Sequence, residues 1–449
     1  MQITHFCNSC ISIEAGETRL LCDPWIGPAD ENAWLSFPFQ NEGPDIIERL
    51  APNFIYISHL HPDHHDVHTL EHVPKDTTIL IKNFRDHRLF GKLQAQGFSN
   101  VIELDSWASL TLGDDLEVVI VPSSSMVKEE IDAVIQYDID TSILVRDLKS
   151  GQVFFNNVDN PTSLTALKEV RTFSEKTWGK APDVACLPVG AASEYPHCFV
   201  NIDRGAAARR VINAALNELP ERISALGCLD FFMAGGTYVI RGKHGALSRF
   251  VAQPTFEEVR AYLSPWLSAG NRLWALEGGH GILWQDKATS WHIIKTGFEK
   301  ECDKQAYTIG ASHMPYDYAD VRGQTDEYLE RAKTAFPSAK ANYDTIMGRI
   351  GLAQDWTTKI NLYEHLTLTR EGDIADGQKV LKQITLPPSG EISGQTLTLH
   401  MDLGLFVDLL EGRRNWNGAI SGTYILYERT PDAFLPDVPF SLNFLVDRR

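Results

Sequence analysis

The densest group of residues able to bind a metal ion lies in one short segment, residues 59–66, which reads HLHPDHHD. Four good metal ligands fall within six residues of this segment: His59, His61, Asp63 and His64. Imidazole suits zinc, iron and related transition-metal ions, and a carboxylate beside it suits a second ion. The segment directly follows the apolar run FIYIS at 54–58, which predicts a strand that ends at a polar loop. Metal-dependent chemistry is therefore the first expectation for this protein.

The spacing within this loop favours two metal ions in one pocket. His59 and His61 alternate with Leu60, so both side chains can point to the same side as the strand opens. Asp63 and His64 follow where the chain turns, and they can face a second ion. The competing interpretation is a solvated polar loop that happens to be rich in histidine. Four ligands at this spacing, at the end of a strand, make that interpretation the weaker one.

The pattern of apolar residues predicts three regions along the chain. Residues 1–255 alternate short apolar strands with helices, which indicates a layered α/β domain whose sheets are covered by helices. Residues 256–350 predict a mostly helical connecting region. Residues 351–449 predict a small α+β domain, in which a helix begins at Asp402 and Phe440–Val446 forms a strand.

Composition limits the classes of partner. The chain has 449 residues, and 41 basic against 59 acidic residues give a net charge of −18, which argues against nucleic acid and against an anionic membrane surface. No apolar run approaches the length of a membrane-spanning helix, about 18 residues. The first residues, MQITHFCNSC, lack the pattern of a secretory signal, so we expect a cytoplasmic protein. Seven scattered cysteines predict free thiols, and a small molecule is the expected partner.

A resemblance to a known family extends this interpretation. The His-x-His-x-Asp-His spacing of residues 59–64 resembles the metal-binding motif of the metallo-β-lactamase-fold superfamily. The segment 20–25 (LLCDPW) is similar to that family's early strand, which ends in an aspartate beneath the metal loop. The segment 152–159 (QVFFNNVD) is similar to the later strand that ends in a metal-bridging aspartate. The resemblance implies an αββα sandwich that holds two metal ions.

The same resemblance implies roles for individual residues. The metal ligands it implies are His59, His61, Asp63, His64 and Asp159. Asp159 would lie between the two ions, and Asp23 would orient one of the histidines. Taken by itself, Asp159 has a second interpretation as a helix cap, because Pro161 begins a helical pattern just after it.

The chain departs from the family pattern in the loop after the strand at 117–122. The family usually has a histidine in this loop, and here the loop contains none. We expect a carboxylate from residues 123–140 to take its place, and four are candidates: Glu129, Glu130, Asp132 and Asp140. Glu130 is preferred to Glu129, because adjacent residues of an extended segment face opposite sides.

The family's last histidine is missing as well. His197 is a candidate stand-in, with a packed or substrate-facing role as the alternative. The expected donor set is therefore poorer in nitrogen and richer in oxygen than that of a two-zinc hydrolase. Oxygen-rich sets with open positions suit iron better than zinc.

These departures point to one branch of the superfamily. Four segments resemble the metallo-β-lactamase-like part of the CMP-N-acetylneuraminate hydroxylase family: 140–144, 156–159, 195–199 and 232–236. The run 416–422 (WNGAISG) resembles that family's tail, which is similar to a sterol-carrier-protein module. The 449 residues contain no Cys-x-His and Cys-x-x-His pairs of the kind that bind a Rieske iron–sulfur cluster. Electrons for an oxidation would therefore come from an external donor.

Three functions remain open on the sequence. The first is a dinuclear non-haem iron oxygenase, an oxidoreductase of the monooxygenase type that hydroxylates or oxidises a small molecule. The second is a dinuclear zinc-type metallo-hydrolase of an ester, amide or phosphoester. The third is a non-catalytic protein whose C-terminal module holds an apolar small molecule. The missing histidines and the branch resemblance favour the first, whereas the wider superfamily, which is rich in hydrolases, favours the second.

Overall fold

The elements of the fold are taken from a computed structural model. It describes residues 1–29, 32–38, 43–85, 87–123, 140–160, 162–190, 193–235, 238–286, 289–300, 303–351, 355–388, 394–433 and 437–447.

The strands of the described residues are β1 (Gln2–Cys7), β2 (Cys10–Ala15), β3 (Thr18–Cys22), β4 (Pro28–Ala29), β5 (Trp34–Ser36), β6 (Phe54–Tyr56), β7 (Thr78–Lys82), β8 (Val101–Leu104), β9 (Ser109–Leu112), β10 (Leu116–Val121), β11 (Ser142–Asp147), β12 (Val153–Asn156), β13 (Val184–Pro188), β14 (Asp230–Ala234), β15 (Tyr238–Ile240), β16 (Arg272–Trp274), β17 (His280–Gln285), β18 (Ser290–Ile294), β19 (Thr357–Tyr363), β20 (Lys382–Leu386), β21 (Thr396–Asp402) and β22 (Leu426–Thr430).

The α-helices of the same residues are α1 (Gly43–Leu50), α2 (Val67–Glu71), α3 (Arg88–Ala95), α4 (Leu164–Trp178), α5 (Arg204–Leu226), α6 (Phe256–Tyr262), α7 (Ser264–Leu267), α8 (Lys304–Ser312), α9 (Thr325–Ile350), α10 (Leu403–Leu410), α11 (Trp416–Ser421) and α12 (Asp437–Ser441). Two 3₁₀ helices span Gly242–Phe250 and Leu442–Phe444.

Two large sheets pack face to face. One has the strand order β18-β17-β1-β2-β3-β6-β7-β8, and the other has the order β16-β14-β13-β12-β11-β10-β9. Apolar side chains from both sheets, such as Ile13 and Phe154, share one buried cluster between them. Strands such as β10 (LEVVIV) are apolar almost throughout, because strands covered on both faces bury both sets of side chains.

Helices cover the two outer faces. Residues of α1, α2 and α3, such as Ile46 and Leu89, form a buried cluster with the outward side chains of the first sheet. Residues of α4 and α5, such as Leu167 and Leu216, pack on the second sheet. The order of layers is therefore helix, sheet, sheet, helix, which confirms the predicted αββα sandwich.

The sandwich extends past the boundary expected at residue 255. β16 pairs with β14 in the second sheet, and β17 pairs with β1 in the first. These strands lie in the region 256–350, which the sequence pattern presented as a mostly helical connection. A strand as short as β16, with three residues, has too few side chains to show a period of two.

The C-terminal part forms a separate sheet that shares its core with the sandwich. Its strands run in the order β20-β19-β21-β22, and the buried cluster beneath them includes Trp25 and Tyr238 from the N-terminal part. The prediction of a strand at Phe440–Val446 is wrong, because α12 and the second 3₁₀ helix occupy residues 437–444. Val438, Leu442 and Leu445 are buried at helical spacing. The likeness of this part to a sterol-carrier module stays a prediction.

The described residues also test two expectations from composition. None of the described helices combines the length and the apolar character needed to cross a membrane. Six of the seven cysteines are buried and free, as predicted; the seventh, Cys302, lies outside the described residues.

Gly404 in α10 marks a close contact between the C-terminal part and the segment before α9. A Cβ at this position would overlap the carbonyl oxygen of Ala319. We expect Gly404→Ala to lower the free energy of unfolding by about 1–3 kcal/mol, because an extra methyl group in a filled site forces the backbone apart. Denaturant unfolding measures the change. Gly348→Ala, on α9, is the control, since a Cβ at this position would meet nothing within 4 Å. Equal stability of the two variants would contradict this packing.

Candidate metal centre

Strand ends from both sheets meet at one edge of the sandwich. β3 and β6 are parallel neighbours with Cys22 opposite Tyr56, so Asp23 and the loop after β6 leave the first sheet together. β11 and β12 are antiparallel with Ile143 opposite Asn156, so the residues before β11 and after β12 leave the second sheet together. This shared edge explains how distant segments of the chain reach one site.

A threonine joins the two edges. Thr141 precedes β11, and its Oγ1 donates to the carbonyl oxygen of Ser58 at 2.8 Å. Because the single hydroxyl proton of Thr141 points to Ser58, Oγ1 of Thr141 accepts a 2.6 Å hydrogen bond from the hydroxyl of Tyr56. All three residues are buried, so the second sheet is held directly against the metal-binding loop of the first.

The backbone is strained where two of the aspartates leave the strands. Asp23 has a φ of +42°, and Val158, directly before Asp159, has a φ of +53°. A β-branched residue such as Val158 is rarely found in this left-handed region, and strain of this kind persists where the surroundings enforce it. The amide of Val158 donates to Oδ1 of Asn156 at 3.1 Å, which helps to hold the turn that presents Asp159.

Six side chains converge at this edge in two groups of three. The ligand atoms of each group lie within 4.8 Å of one another, and the groups are His59 with His61 and Asp140, and Asp63 with His64 and Asp159. In the first group, Nε2 of His59 lies 2.8 Å from Nδ1 of His61 and 3.1 Å from Oδ1 of Asp140. In the second, Nε2 of His64 lies 3.2 Å from Oδ2 of Asp159 and 3.4 Å from Oδ2 of Asp63.

The structure brings together all five residues named as ligands on the sequence. The division of the loop also agrees with the expectation, since His59 and His61 face one position and Asp63 and His64 face the other. Asp159 does not cap the following helix, because Ser163 is the N-cap residue of α4. That these side chains bind metal stays a prediction, since the geometry shows only that they converge.

The sixth member is Asp140, one of the four candidate carboxylates. The other three lie outside the described residues: Glu129, Glu130 and Asp132. His197, the candidate stand-in for the missing histidine, belongs to neither group. Its Nε2 is 3.1 Å from Oγ1 of Thr423 in the C-terminal part, so it has the packed role that was the alternative.

Asp23 and Ser58 set the orientation of two histidines. Asp23 is fully buried and accepts from the amide and the hydroxyl of Ser58, at 2.7 and 2.8 Å, and from Nδ1 of His64 at 3.0 Å. Because the Ser58 hydroxyl has a single proton, which points to Asp23, Nδ1 of His59 donates to the Ser58 oxygen at 2.9 Å. Both imidazoles therefore turn Nε2 toward the ligand groups, as partners behind metal-binding histidines commonly do.

Asn8 is a residue of the site that sequence reasoning missed. It lies in the turn between β1 and β2, and its Nδ2 donates to Oδ2 of Asp63 at 3.0 Å. Its carbonyl oxygen accepts from Nε2 of His5 at 2.9 Å, which holds the turn in place. A single asparagine 55 residues before Asp63 has no spacing pattern that could have revealed this contact.

The electrostatics of the groups favour a cation. Burial alone would lower the pKa of His64, but the neighbouring carboxylates of Asp63, Asp159 and Asp23 outweigh it and raise that pKa well above its usual value. Burial and then the charge of Asp159 raise the pKa of Asp140 to about 7. Burial and the two neighbouring histidines lower the pKa of His59 well below its usual value. Burial and neighbouring negative charge thus raise the pKa values of Asp140 and His64, respectively, and a bound cation would offset both effects.

The residues therefore fit a pair of metal ions. Among the described residues, no lysine or arginine forms an ion pair with the carboxylates of Asp23, Asp63, Asp140 or Asp159. Three imidazoles and three carboxylates in two sets of three are a donor set for transition-metal ions. A pocket of about 360 Å³ opens beside them, with His61, Asp140 and Asp159 in its wall. The arrangement combines metal ligands with space for a small molecule.

We expect Asp23→Asn to weaken metal binding by about 10- to 100-fold, because an amide cannot accept from Ser58 and His64 as the carboxylate does. Competition with a chromogenic chelator measures the affinity. Asp66→Asn is the control: Asp66 is a buried carboxylate of the same loop, but it accepts from His68 and Thr69 of α2. An Asp23→Asn protein that retains metal as tightly as Asp66→Asn would show that Asp23 does not position His64.

A family model described as a β-lactamase superfamily domain matches residues 2–139. The matched segment is therefore similar to a β-lactamase superfamily domain. The match contains the His59–His64 loop, and Asp140 follows directly after its last residue. The resemblance stated from the sequence is confirmed, and the remaining two ligands of the superfamily-like site come from the chain beyond the matched segment.

Relatives of known name match stretches of similar length. A Rieske-named 2Fe–2S iron–sulfur protein of Mycobacterium tuberculosis is 34% identical over 125 residues, which cover 27% of this chain and 24% of that protein. The cytidine monophosphate-N-acetylneuraminic acid hydroxylase of Danio rerio is 29% identical over 167 residues, which cover 35% of this chain and 25% of the enzyme. The chain thus spans about a quarter of the length of these relatives.

Solved structures align with part of the chain at low identity. An isothiocyanate hydrolase from Delia radicum gut bacteria aligns with a TM-score of 0.44 and 15% identity over 63% of this chain and 99% of the hydrolase. CmlA, a diiron β-hydroxylase from Streptomyces venezuelae, aligns with a TM-score of 0.39 and 18% identity over 62% of this chain and 52% of that enzyme. Likenesses of this strength concern the fold, and they do not distinguish hydrolase from hydroxylase chemistry.

Proposed function

We propose that this protein is a metal-dependent enzyme, and specifically a dinuclear non-haem iron oxygenase that hydroxylates or oxidises a small molecule. The observation that carries the proposal is the position of Asp140, whose carboxylate lies beside His59 and His61 as the expected replacement for the histidine that the resembled family usually has. The complete donor set then has three nitrogens and three carboxylates, and oxygen-rich sets of this kind suit iron.

Each ligand has a place in this proposal. His59, His61 and Asp140 would hold one ion, Asp63 and His64 would hold the other, and Asp159 would lie between them. When bound, the two irons supply the redox chemistry with dioxygen, using electrons from an external donor. The chain positions them: Asp23 and Ser58 fix the histidines, and Asn8 fixes Asp63.

The matched relatives support hydroxylation as the reaction type. Two hydroxylases named for cytidine monophosphate-N-acetylneuraminic acid match this chain, from Danio rerio over 167 residues and from Asterias rubens over 74 residues at 46% identity. The matches cover 25% and 11% of those enzymes. The proposal therefore extends to the class of reaction, and it does not extend to their substrate.

A second candidate function is a dinuclear zinc hydrolase of an ester, amide or phosphoester. The observation in its favour is the set of three imidazoles, His59, His61 and His64, since imidazole is a preferred zinc ligand. When bound, zinc supplies Lewis-acid activation of water and of a carbonyl or phosphoryl oxygen. The same chain residues would hold either pair of ions, so the two functions differ in metal and in co-substrate.

The deciding experiment compares iron-loaded and zinc-loaded protein with and without oxygen. We expect about two irons per chain after expression in iron-replete cells, and oxygen consumption by the reduced iron form alone. Full activity of the zinc form toward esters, amides or phosphoesters under anaerobic conditions would overturn the oxygenase and leave the hydrolase. A protein that binds a small apolar ligand but neither metal would overturn both and leave the non-catalytic alternative.

A further inference from the structure

The pocket beside the metal centre has one basic residue in its described wall. This residue is Arg222 on α5, and the same wall includes the metal-centre residues His61, Asp140 and Asp159. Glu218, one turn earlier on α5, is the acidic residue of the pocket wall outside the metal centre. The volume of about 360 Å³ is at the small end of the range for ligand pockets.

Arg222 lacks a carboxylate partner. Its Nη1 and Nη2 donate to the carbonyl oxygen and Oγ1 of Thr162, both at 3.3 Å, which is longer than a typical N–H···O bond. Its Nε is buried without a hydrogen-bond partner. Among the described carboxylates, including Glu218, none lies within the 4.0 Å of an ion pair with it.

A guanidinium in this condition is unusual. Arg222 is half-buried, and an arginine partly withdrawn from water is normally paired, because removal of the charge from water is costly unless an anion or several strong hydrogen bonds replace the water. Burial lowers the pKa of Arg222, while the charge of Glu218 opposes that shift, and a guanidinium stays protonated at neutral pH. Two long bonds to Thr162 leave part of its donor capacity unused, and the Arg222 side chain lines the cavity.

The pocket between Arg222 and the metal ligands has an apolar wall. Val189, Ala215, Leu219 and Ala234 line it. Gly190 and Gln253 also line the pocket. Position 190, with a φ of +112°, has no room for a side chain, because a Cβ there would overlap Gln253. The pocket therefore combines a cationic group, an apolar surface and the proposed metal centre.

We propose that Arg222 binds the oxyanion, a carboxylate or a phosphate, of a small molecule whose apolar part lies along this wall toward the metal centre. A guanidinium offers paired N–H donors that match the two oxygens of either group. That this molecule is the substrate rests on the proposed function. The binding of the oxyanion by Arg222 does not depend on it.

The test is isothermal titration of zinc-loaded protein with benzoate and with phenyl phosphate, and with benzamide as the neutral analogue of benzoate. We expect at least one anion to bind the wild type at least about ten-fold more tightly than Arg222→Gln, and the Lys variant, Arg222→Lys, to lie between them. Arg209→Gln is the matched control, because Arg209 is an exposed arginine of the same helix that pairs with Glu258. It should bind the anions as the wild type does.

The relative affinities of the three compounds decide the role of Arg222. Preference for benzoate identifies a carboxylate ligand, and preference for phenyl phosphate identifies a phosphate. Equal binding of both anions by wild type and Arg222→Gln, or binding of both anions by the wild type no tighter than that of benzamide, would overturn the inference. The inference would also be overturned if Arg222→Gln lost its zinc and bound benzamide and benzoate more weakly by the same factor. That result would show that the bonds from Arg222 to Thr162 are purely structural.

Failure of the proposed function gives a different result. If the wild type holds no zinc or iron, the metal centre is absent, and the same titrations on the metal-free protein still test Arg222. Anion binding that depends on Arg222 without any metal would then support the oxyanion site alone.

Discussion

Asp159→Ala is expected to reduce the metal content from about two ions per chain to one or none. The carboxylate of Asp159 lies 3.2 Å from Nε2 of His64. It also interacts with Asp140: burial is the largest cause of the raised pKa of Asp140, and the charge of Asp159 is the second. Its removal would therefore leave both groups short of a ligand. Activity should fall by more than about 100-fold, because even partners behind the ligands are worth about 10- to 100-fold.

Metal analysis by mass spectrometry and a turnover assay measure these two effects. Asp203→Asn is the control, since Asp203 is the N-cap of α5 and asparagine caps a helix about as well as aspartate. It should keep the metal content and the activity of the wild type. Two ions per chain in a folded Asp159→Ala protein would show that Asp159 is not shared between the groups.

Asp140→His is expected to change which metal the protein selects. The substitution gives the first group three imidazoles and removes one negative charge from the centre, which favours zinc over iron. In cells supplied with both metals, we expect the ratio of zinc to iron in the purified protein to rise by about ten-fold, an order-of-magnitude effect of donor type. Oxygen consumption should fall in proportion to the iron.

Asp140→Glu is the matched control for this experiment, because it retains a carboxylate at the same position. It should keep the iron preference even if its longer side chain lowers turnover. An unchanged zinc to iron ratio in Asp140→His would mean that Asp140 does not decide the metal, and the carboxylate beside His59 and His61 would no longer support iron over zinc.

Much of the site could be predicted because its central motif is local. His59, His61, Asp63 and His64 lie within six residues, so covalent geometry alone places their side chains close together. Their position after a buried strand could be predicted as well, since a short apolar run bounded by polar residues is typical of a covered strand. Asp159, in contrast, was assigned on the family resemblance and not on spacing, because an aspartate between a strand and a helix is commonly a cap.

The choice of Asp140 needed the tertiary structure. Four carboxylates between residues 129 and 140 were open on the sequence. Asp140 is the candidate that lies within the described residues. The antiparallel pairing of β11 with β12 places it at the metal centre, because the start of β11 lies beside the end of β12. A pattern of apolar residues predicts that strands exist, but it contains no information about which strand pairs with which.

The same limit explains the secondary-structure differences. β16 has three residues, so only its pairing with β14 makes it part of the sheet. Residues 440–446 contain apolar side chains that fit either a strand or a helix, and contacts with α9, such as Asn342 to the carbonyl oxygen of Phe444 at 2.8 Å, accompany the helical form. Short apolar segments are ambiguous until their partners are known.

The sequence by itself determined a layered α/β fold with a dense group of candidate metal ligands at a strand end, and its resemblance to the metallo-β-lactamase fold supplied the order of the layers. Only the tertiary structure decided which residues support and surround that loop. Asn8 reaches Asp63 across 55 residues. The family resemblance had placed Asp23 beneath the loop, and the structure identified His64, 41 residues away, as its partner. Arg222 meets the metal centre only through a shared pocket. Single polar residues have no periodicity, so their roles follow from the long-range packing that places them beside their partners.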